Sequence, residues 1–195
     1  MNTHLIFAML ASVTGVICFF PYVRDIFLLK TKPHSYSWLV WALLQASAVF
    51  VMLAGGAGVG VASFALSALL CAFIFILSLW FGTKNITAFD TVCLIGAIGA
   101  LIFWFFLEEA LLSVLTIAAV DFIAYLPTVR KSYAEPWTET PSLYLLGTIS
   151  CIFSVFALEA VNFITSFYLF VILSANLALA ALILIRRRGS SAPSV

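Results

Sequence analysis

Charge is what this sequence has least of. Of its 195 residues only 9% are Asp, Glu, Lys or Arg, while 65% are hydrophobic. That is too little polar surface to cover a water-soluble globule, so a soluble domain is excluded. Histidine is almost as scarce. His4 and His34 are the only two, and no His-x-x-x-His, nucleophile elbow or pair of carboxylates within an apolar run occurs. Acid–base or metal-assisted chemistry needs such convergent groups, so no enzyme activity, metal or cofactor is expected. The net charge of +1 offers no basic patch for nucleic acid. The four cysteines, Cys18, Cys71, Cys93 and Cys151, lack metal-ligand spacing and fall inside apolar runs. They read as small buried hydrophobes.

What is present is a series of apolar runs of membrane-spanning length. Seven spans are predicted, at about 5–29, 36–54, 60–81, 89–107, 110–130, 141–158 and 162–185. The first has no basic residue before it and is too long for a secretory signal, so it counts as a helix. The connections are short, and the tail 189–195 is expected to be disordered and cytoplasmic. With seven spans, every Lys and Arg falls on one side, from Arg24 through Arg130 and Lys131 to the Arg186–Arg188 stop-transfer cluster. The other side carries only Glu108, Glu109 and Glu159. The positive-inside rule then puts the N-terminus outside and the C-terminus in the cytoplasm, in the plasma (inner) membrane.

The chain also repeats itself. At an offset of 106 residues Pro21 meets Pro127, Val23 meets Val129, Arg24 meets Arg130, and Val49-Phe50 meets Val155-Phe156. At an offset of 103, Ser63-Phe64 meets Ser166-Phe167 and Leu66 meets Leu169. The expected fold is therefore all-α and integral to the membrane: seven transmembrane helices as two parallel three-helix repeats (1–82 and 109–188) joined by a linker helix (83–108). An odd linker gives both repeats the same orientation.

Within this frame a few polar residues stand out. Asp121 lies about nine residues from Arg130, near mid-membrane at 1.5 Å per residue. An intramembrane carboxylate is a functional-site hypothesis by default. Without a partner it favours its neutral form, so it can carry a proton or bind a cationic solute, or act as a structural acid. Its repeat partner is Gly15, so the site is single. Gln45, Asn176, Thr148 and Ser150 lie at a similar depth and should face the interior. Trp38, Trp41 and Gln45 share one helix face. Trp38 is assigned to the interfacial aromatic belt and Trp41 to either pocket or packing. Tyr125, one turn from Asp121, is the expected hydrogen-bond partner of that acid. Trp80 and Trp104 read as interfacial anchors. Gly96 and Gly99 suit close helix packing in the linker. Pro21 and Pro127 break the bonds to the carbonyls of Ile17 and Ile123 and are the expected hinges, a static kink being the alternative. Arg24 and Arg130 are topology signals, or gating partners of Asp25, Glu135 or Glu139.

The three-plus-one-plus-three pattern, with a proline near the cytoplasmic end of the first helix of each repeat, resembles the SWEET and PQ-loop transporter superfamily. The name-giving glutamine of its Pro-Gln pair is here Tyr22 and Thr128. Sugar-carrying members place an asparagine on the third helix of each repeat; Asn176 matches, and Phe73 stands at the other position. Pro127–Tyr133 and Trp80–Lys84 are similar to bacterial membrane proteins of this shape. Pnu-type vitamin carriers share the architecture and use a tryptophan-rich stretch, like that holding Trp38 and Trp41. The resemblance implies a secondary transporter of a small polar solute working by alternating access, and Asp121, by its own position, is the candidate for coupling it to protons. The expected substrate-binding set is Gln45, Trp41, Asp121, Tyr125, Asn176 and Ser150. The alternative is a non-transporting membrane receptor or assembly module, since a retrieval receptor for lumenal proteins shares this architecture. The expected partners are a small solute and membrane lipid. Two repeats suffice for one pathway, and a homo-oligomer is also compatible.

Overall fold

A computed structural model of the chain describes residues 3–54, 62–158 and 161–189. Every regular element among the described residues is helical. The connection 55–61, Glu159 and the tail from Ser190 onward lie outside the described residues. The helices are α1 (Thr3–Ile17), α2 (Phe19–Phe27), α3 (Ser35–Ala54), α4 (Ala62–Phe81), α5 (Ala88–Trp104), α6 (Ala110–Ala134), α7 (Pro141–Ala157) and α8 (Phe163–Arg188). The boundaries follow the predicted spans to within a few residues. Three stretches, Thr3–Phe27, Leu111–Ala134 and Ser166–Arg188, are long and apolar enough to cross a membrane. Large apolar side chains such as Phe20, Trp80, Val92 and Phe106 are well exposed. A surface of this kind needs lipid or a partner to cover it.

The two prolines act differently. Pro21 has no N–H for the Ile17 carbonyl, and its ring crowds that oxygen. The first span accordingly breaks at Cys18, three residues upstream, into α1 and α2. Pro127 sits inside α6, which continues through it to Ala134.

Local chemistry sets the helix ends on the basic side. Thr87 and Asp90 form a capping box at the start of α5, the Asp90 carboxylate accepting from the Thr87 N–H at 2.7 Å. Pro141 opens α7, where a missing N–H costs nothing. Gly82 closes α4 against the connection between α2 and α3. A Cβ there would sit 2.8 Å from the Pro33 carbonyl oxygen, too close for any carbon. Gly96 and Gly99, expected to pack tightly, instead have nothing near a would-be Cβ. Gly82→Ala should therefore lower the thermal midpoint, with a cost of about 1–3 kcal/mol. Gly96→Ala should leave it unchanged or raise it. Thermal unfolding of the two purified variants checks this.

Packing places α4 against α3, with α2 also touching α4, and α8 against both α6 and α7. Across the middle, α1 packs on α7 and α3 on α6, while α5 lies on α6 and α3. The core at this crossing holds Tyr22, Trp38, Trp41, Ile74, Val120, Tyr125, Tyr144 and Leu179.

Candidate functional site

Where α3, α4, α6, α7 and α8 converge they leave a cavity of about 170 Å³. Its lining includes Trp38, Trp41 and Gln45 from α3, Asp121 and Tyr125 from α6, and Asn176 from α8. Five of the six residues expected to bind solute therefore share one space. Ser150 does not. It lines a neighbouring cavity of about 240 Å³ with Ser12, Gly15 and Ser154, and its hydroxyl donates to the Ala11 carbonyl at 2.8 Å. Gln45 and Ser67 border both cavities. Thr148 stays within its own helix, donating to the Tyr144 carbonyl at 2.9 Å.

The aromatic side chains form a continuous wall. Ring centroids are 5.1 Å apart for Tyr22–Trp38, 5.0 Å for Trp38–Trp41 and 4.9 Å for Trp41–Tyr125, each within the favourable range for tilted or edge-on pairs. Trp38 is not an interfacial anchor as expected. It is 2% exposed and its indole N–H donates to the Tyr22 hydroxyl at 3.2 Å. The belt reading rests on nearness to the basic loop, and an indole with a buried acceptor is better placed inside. Trp104 is likewise buried at 8% exposure, whereas Trp80 is 67% exposed and fits the anchor role.

Asp121 is 4% exposed. Tyr125 does not bond to it; the tyrosine hydroxyl donates instead to the Asn176 Oδ1 at 2.9 Å, joining α6 to α8. The ring carries its hydroxyl past a short acid on the same helix, so spacing alone misleads at this position. The indole of Trp41 lies against the carboxylate, with Tyr125, Tyr168, Cys71 and Cys151 as the other titratable neighbours. Sequence reasoning missed Tyr168, Tyr144, Ser67 and Gly147 in the lining. Tyr168 is eight residues from Asn176 and on its face, which is a usable signal; Tyr144 and Gly147 carry none above ordinary packing.

A polar network on the basic side adjoins the cavity through Tyr144. The Tyr144 hydroxyl, in the cavity wall, donates to Glu139 Oε1 at 3.0 Å. Glu139 in turn pairs with Lys131, and both side chains are fully buried. Lys131 also donates to the Lys32 carbonyl at 2.8 Å and the Thr138 carbonyl at 3.0 Å. Thr140 bonds to Thr31 and donates to Asp25 Oδ2 at 2.9 Å. Thr128 donates to Ser37 at 2.9 Å. Arg187 reaches the same loop, donating to the Pro136 and Glu139 carbonyls.

The arginines expected to mark topology are paired, but not with Glu135 or Glu139. Arg24 pairs with its neighbour Asp25 in the open. Arg130 grips Asp90 with two hydrogen bonds of 2.8 Å, docking α5 on α6. Beside them His34 is fully buried, its Nε2 3.5 Å from Asp90 Oδ2, and neither ring nitrogen makes a hydrogen bond. Burial pushes the imidazole down to about 4, against the pull of Asp90 and helped by Lys131 and Arg130. Between that value and about 6.5 the unfolded chain takes up a proton and the folded one does not, so acid favours unfolding. The loss is about 3 kcal/mol across the window. The thermal midpoint should fall between pH 7 and pH 5, and His34→Gln should flatten that fall.

Set against family models, curated proteins and solved structures, the chain matches none. Its function has to be read from the cavity.

Proposed function

We propose that this protein is a secondary transporter of a small polar solute, working by alternating access and coupled to protons through Asp121. The observation that carries the reading is the convergence of Trp41, Gln45, Asp121, Tyr125 and Asn176, from three helices, on one cavity. Polar groups at the centre of an apolar bundle are costly unless they have work to do or partners to meet. The architecture we assign is seven spans, three plus one plus three. The helix pairings support it: α1 with α7 and α6 with α3 are the same contact once the two halves are exchanged. In each half the third helix, α4 or α8, touches both the others. The charge asymmetry argues for an external N-terminus in the inner membrane, with the network of Lys131 and Glu139 closing the cytoplasmic end.

A thermal-stability screen against sugars, amino acids, nucleosides, vitamins and organic cations, at pH 5.5 and 7.5, tests the reading. A solute that binds only the folded state raises the midpoint as RT ln(1 + [L]/Kd). A pH-dependent hit that loses its pH dependence in Asp121→Asn supports coupled transport. If the solute then crosses vesicle membranes equally well with either protein, coupling through Asp121 is wrong. If no solute shifts the midpoint, the transporter reading itself fails.

A further inference from the structure

The cavity offers one acid and several aromatic faces, and together they describe a ligand. No Lys, Arg or His lines it among the described residues. The other two fully buried carboxylates among the described residues each have a basic partner: Asp90 with Arg130 and Glu139 with Lys131. No such partner meets Asp121 among the described residues. An ionised carboxylate held out of water with no counter-charge is strongly disfavoured. The site therefore needs one positive charge, either a proton on the carboxyl group or a cation beside it.

The walls decide which cation. Trp41, Tyr125 and Tyr168 surround Asp121, and Trp38 extends the aromatic surface. Aromatic faces attract weakly hydrated ammonium groups. A calcium ion wants six to eight oxygen ligands and magnesium a near-octahedral set. Beyond neutral hydroxyls from Ser67 and three tyrosines, this lining offers one carboxylate and the carboxamides of Gln45 and Asn176, the latter already accepting from Tyr125. A dication would also leave one charge unmatched. A neutral polyol could sit only beside the protonated acid and would make no use of its charge. At about 170 Å³, somewhat above the roughly 150 Å³ that holds benzene, the space suits about six to ten non-hydrogen atoms.

We infer that this cavity binds a small organic monocation of the ammonium class, and that the cation and a proton replace one another, one for one, at Asp121. The binding half stands on the cavity alone, while the exchange half rests on the transporter reading above. As the cation enters, the O–H bond of the Asp121 carboxyl breaks, its proton passes to water, and the electron pair stays on the carboxylate facing the ammonium. When the cation leaves, the carboxylate takes a proton back. The charge in the cavity is the same at both stages, so exchange is electroneutral and the two ions move in opposite directions. The other titratable groups facing Asp121 are Cys71 on α4, Tyr125 on α6, Cys151 on α7 and Tyr168 on α8. Thiols and phenols are uncharged near neutrality by their ordinary values, which leaves Asp121 as the exchanging group.

Titration calorimetry of the full chain in lipid nanodiscs tests this with choline and tetramethylammonium as probes. The controls are glucose and 3,3-dimethylbutan-1-ol, which is choline with carbon in place of nitrogen. The expected result is binding of both cations and neither control. One proton should be released per cation, read from the dependence of the heat on buffer, and affinity should weaken toward tenfold per pH unit on acidification. Asp121→Asn should abolish cation binding, Asp121→Glu should retain it more weakly, and Trp41→Leu should weaken it tenfold or more. The glutamate variant guards against a fold that fails only because the acid is gone. Cation binding without proton release, or undiminished in a folded Asp121→Asn, overturns the inference. If the cations fail while glucose or another neutral solute binds, the ligand class is wrong and the transporter reading survives. If nothing in the wider screen binds, both fall.

Discussion

Glu139→Gln should lower the thermal midpoint sharply, as the most damaging single loss of charge in the molecule. The substitution leaves Lys131 fully buried with a full charge and only the Lys32 and Thr138 carbonyls for company. Breaking one side of a buried ion pair typically costs about 3–5 kcal/mol, because the remaining charge is stranded. The pair as a whole is worth far less than that. Replacing both partners by apolar residues of similar size, Lys131→Met with Glu139→Leu, should recover much of the loss. Recovery will be incomplete, since the Tyr144 hydroxyl also loses its acceptor. Thermal midpoints of the single and double variants decide it. A double variant no more stable than Glu139→Gln would show that the stranded charge is not the cause.

Gly147→Leu should reduce solute binding and uptake to background while leaving the protein folded. Gly147 lines the cavity, and a Cβ there would stand 3.1 Å from the Asn176 Nδ2. A single added carbon asks Asn176 to give by a few tenths of an ångström, so Gly147→Ala should weaken binding only severalfold. A branched four-carbon side chain takes up much of a cavity of about 170 Å³ and displaces the carboxamide that Tyr125 holds. No charged group is altered, which separates occlusion from loss of the acid. Binding measured beside the thermal midpoint checks the point. Wild-type affinity in a folded Gly147→Leu protein would move the binding site elsewhere.

The fold is legible because membrane-length apolar runs and charge placement are coarse signals that survive without tertiary detail. The helix boundaries of α3, α4 and α7 lie close to those expected from hydropathy and punctuation alone. The site is legible in part for the same reason: Asp121, Gln45 and Asn176 are rare polar residues in an apolar chain, and rarity marks them. Partners are harder. Spacing along one helix matches Tyr125 to Asp121, but its bond runs to Asn176, 51 residues away. Asp90 draws no notice because it sits at a helix start, where an acid needs no further reason, yet it also receives Arg130. Lys131 looks like a topology charge, and only the folding of loops 28–34 and 134–140 together reveals that it is buried. Such pairings depend on which helices meet, and a single sequence does not carry that.

The interruption at Cys18 sets the span that holds Pro21 apart from the one that holds Pro127. If the chain moves solute by changing which end of the cavity is open, the helix pattern is already interrupted near the first proline, between α1 and α2, while α6 runs unbroken past its own proline. Two prolines set 106 residues apart in similar sequence surroundings need not share the labour equally. The α1–α2 segment is suited to flexing against a stiffer post, so the larger displacement should occur on its side. Paired spin labels across each proline would then report broad, multiple distances in the first half and a single narrow one in the second.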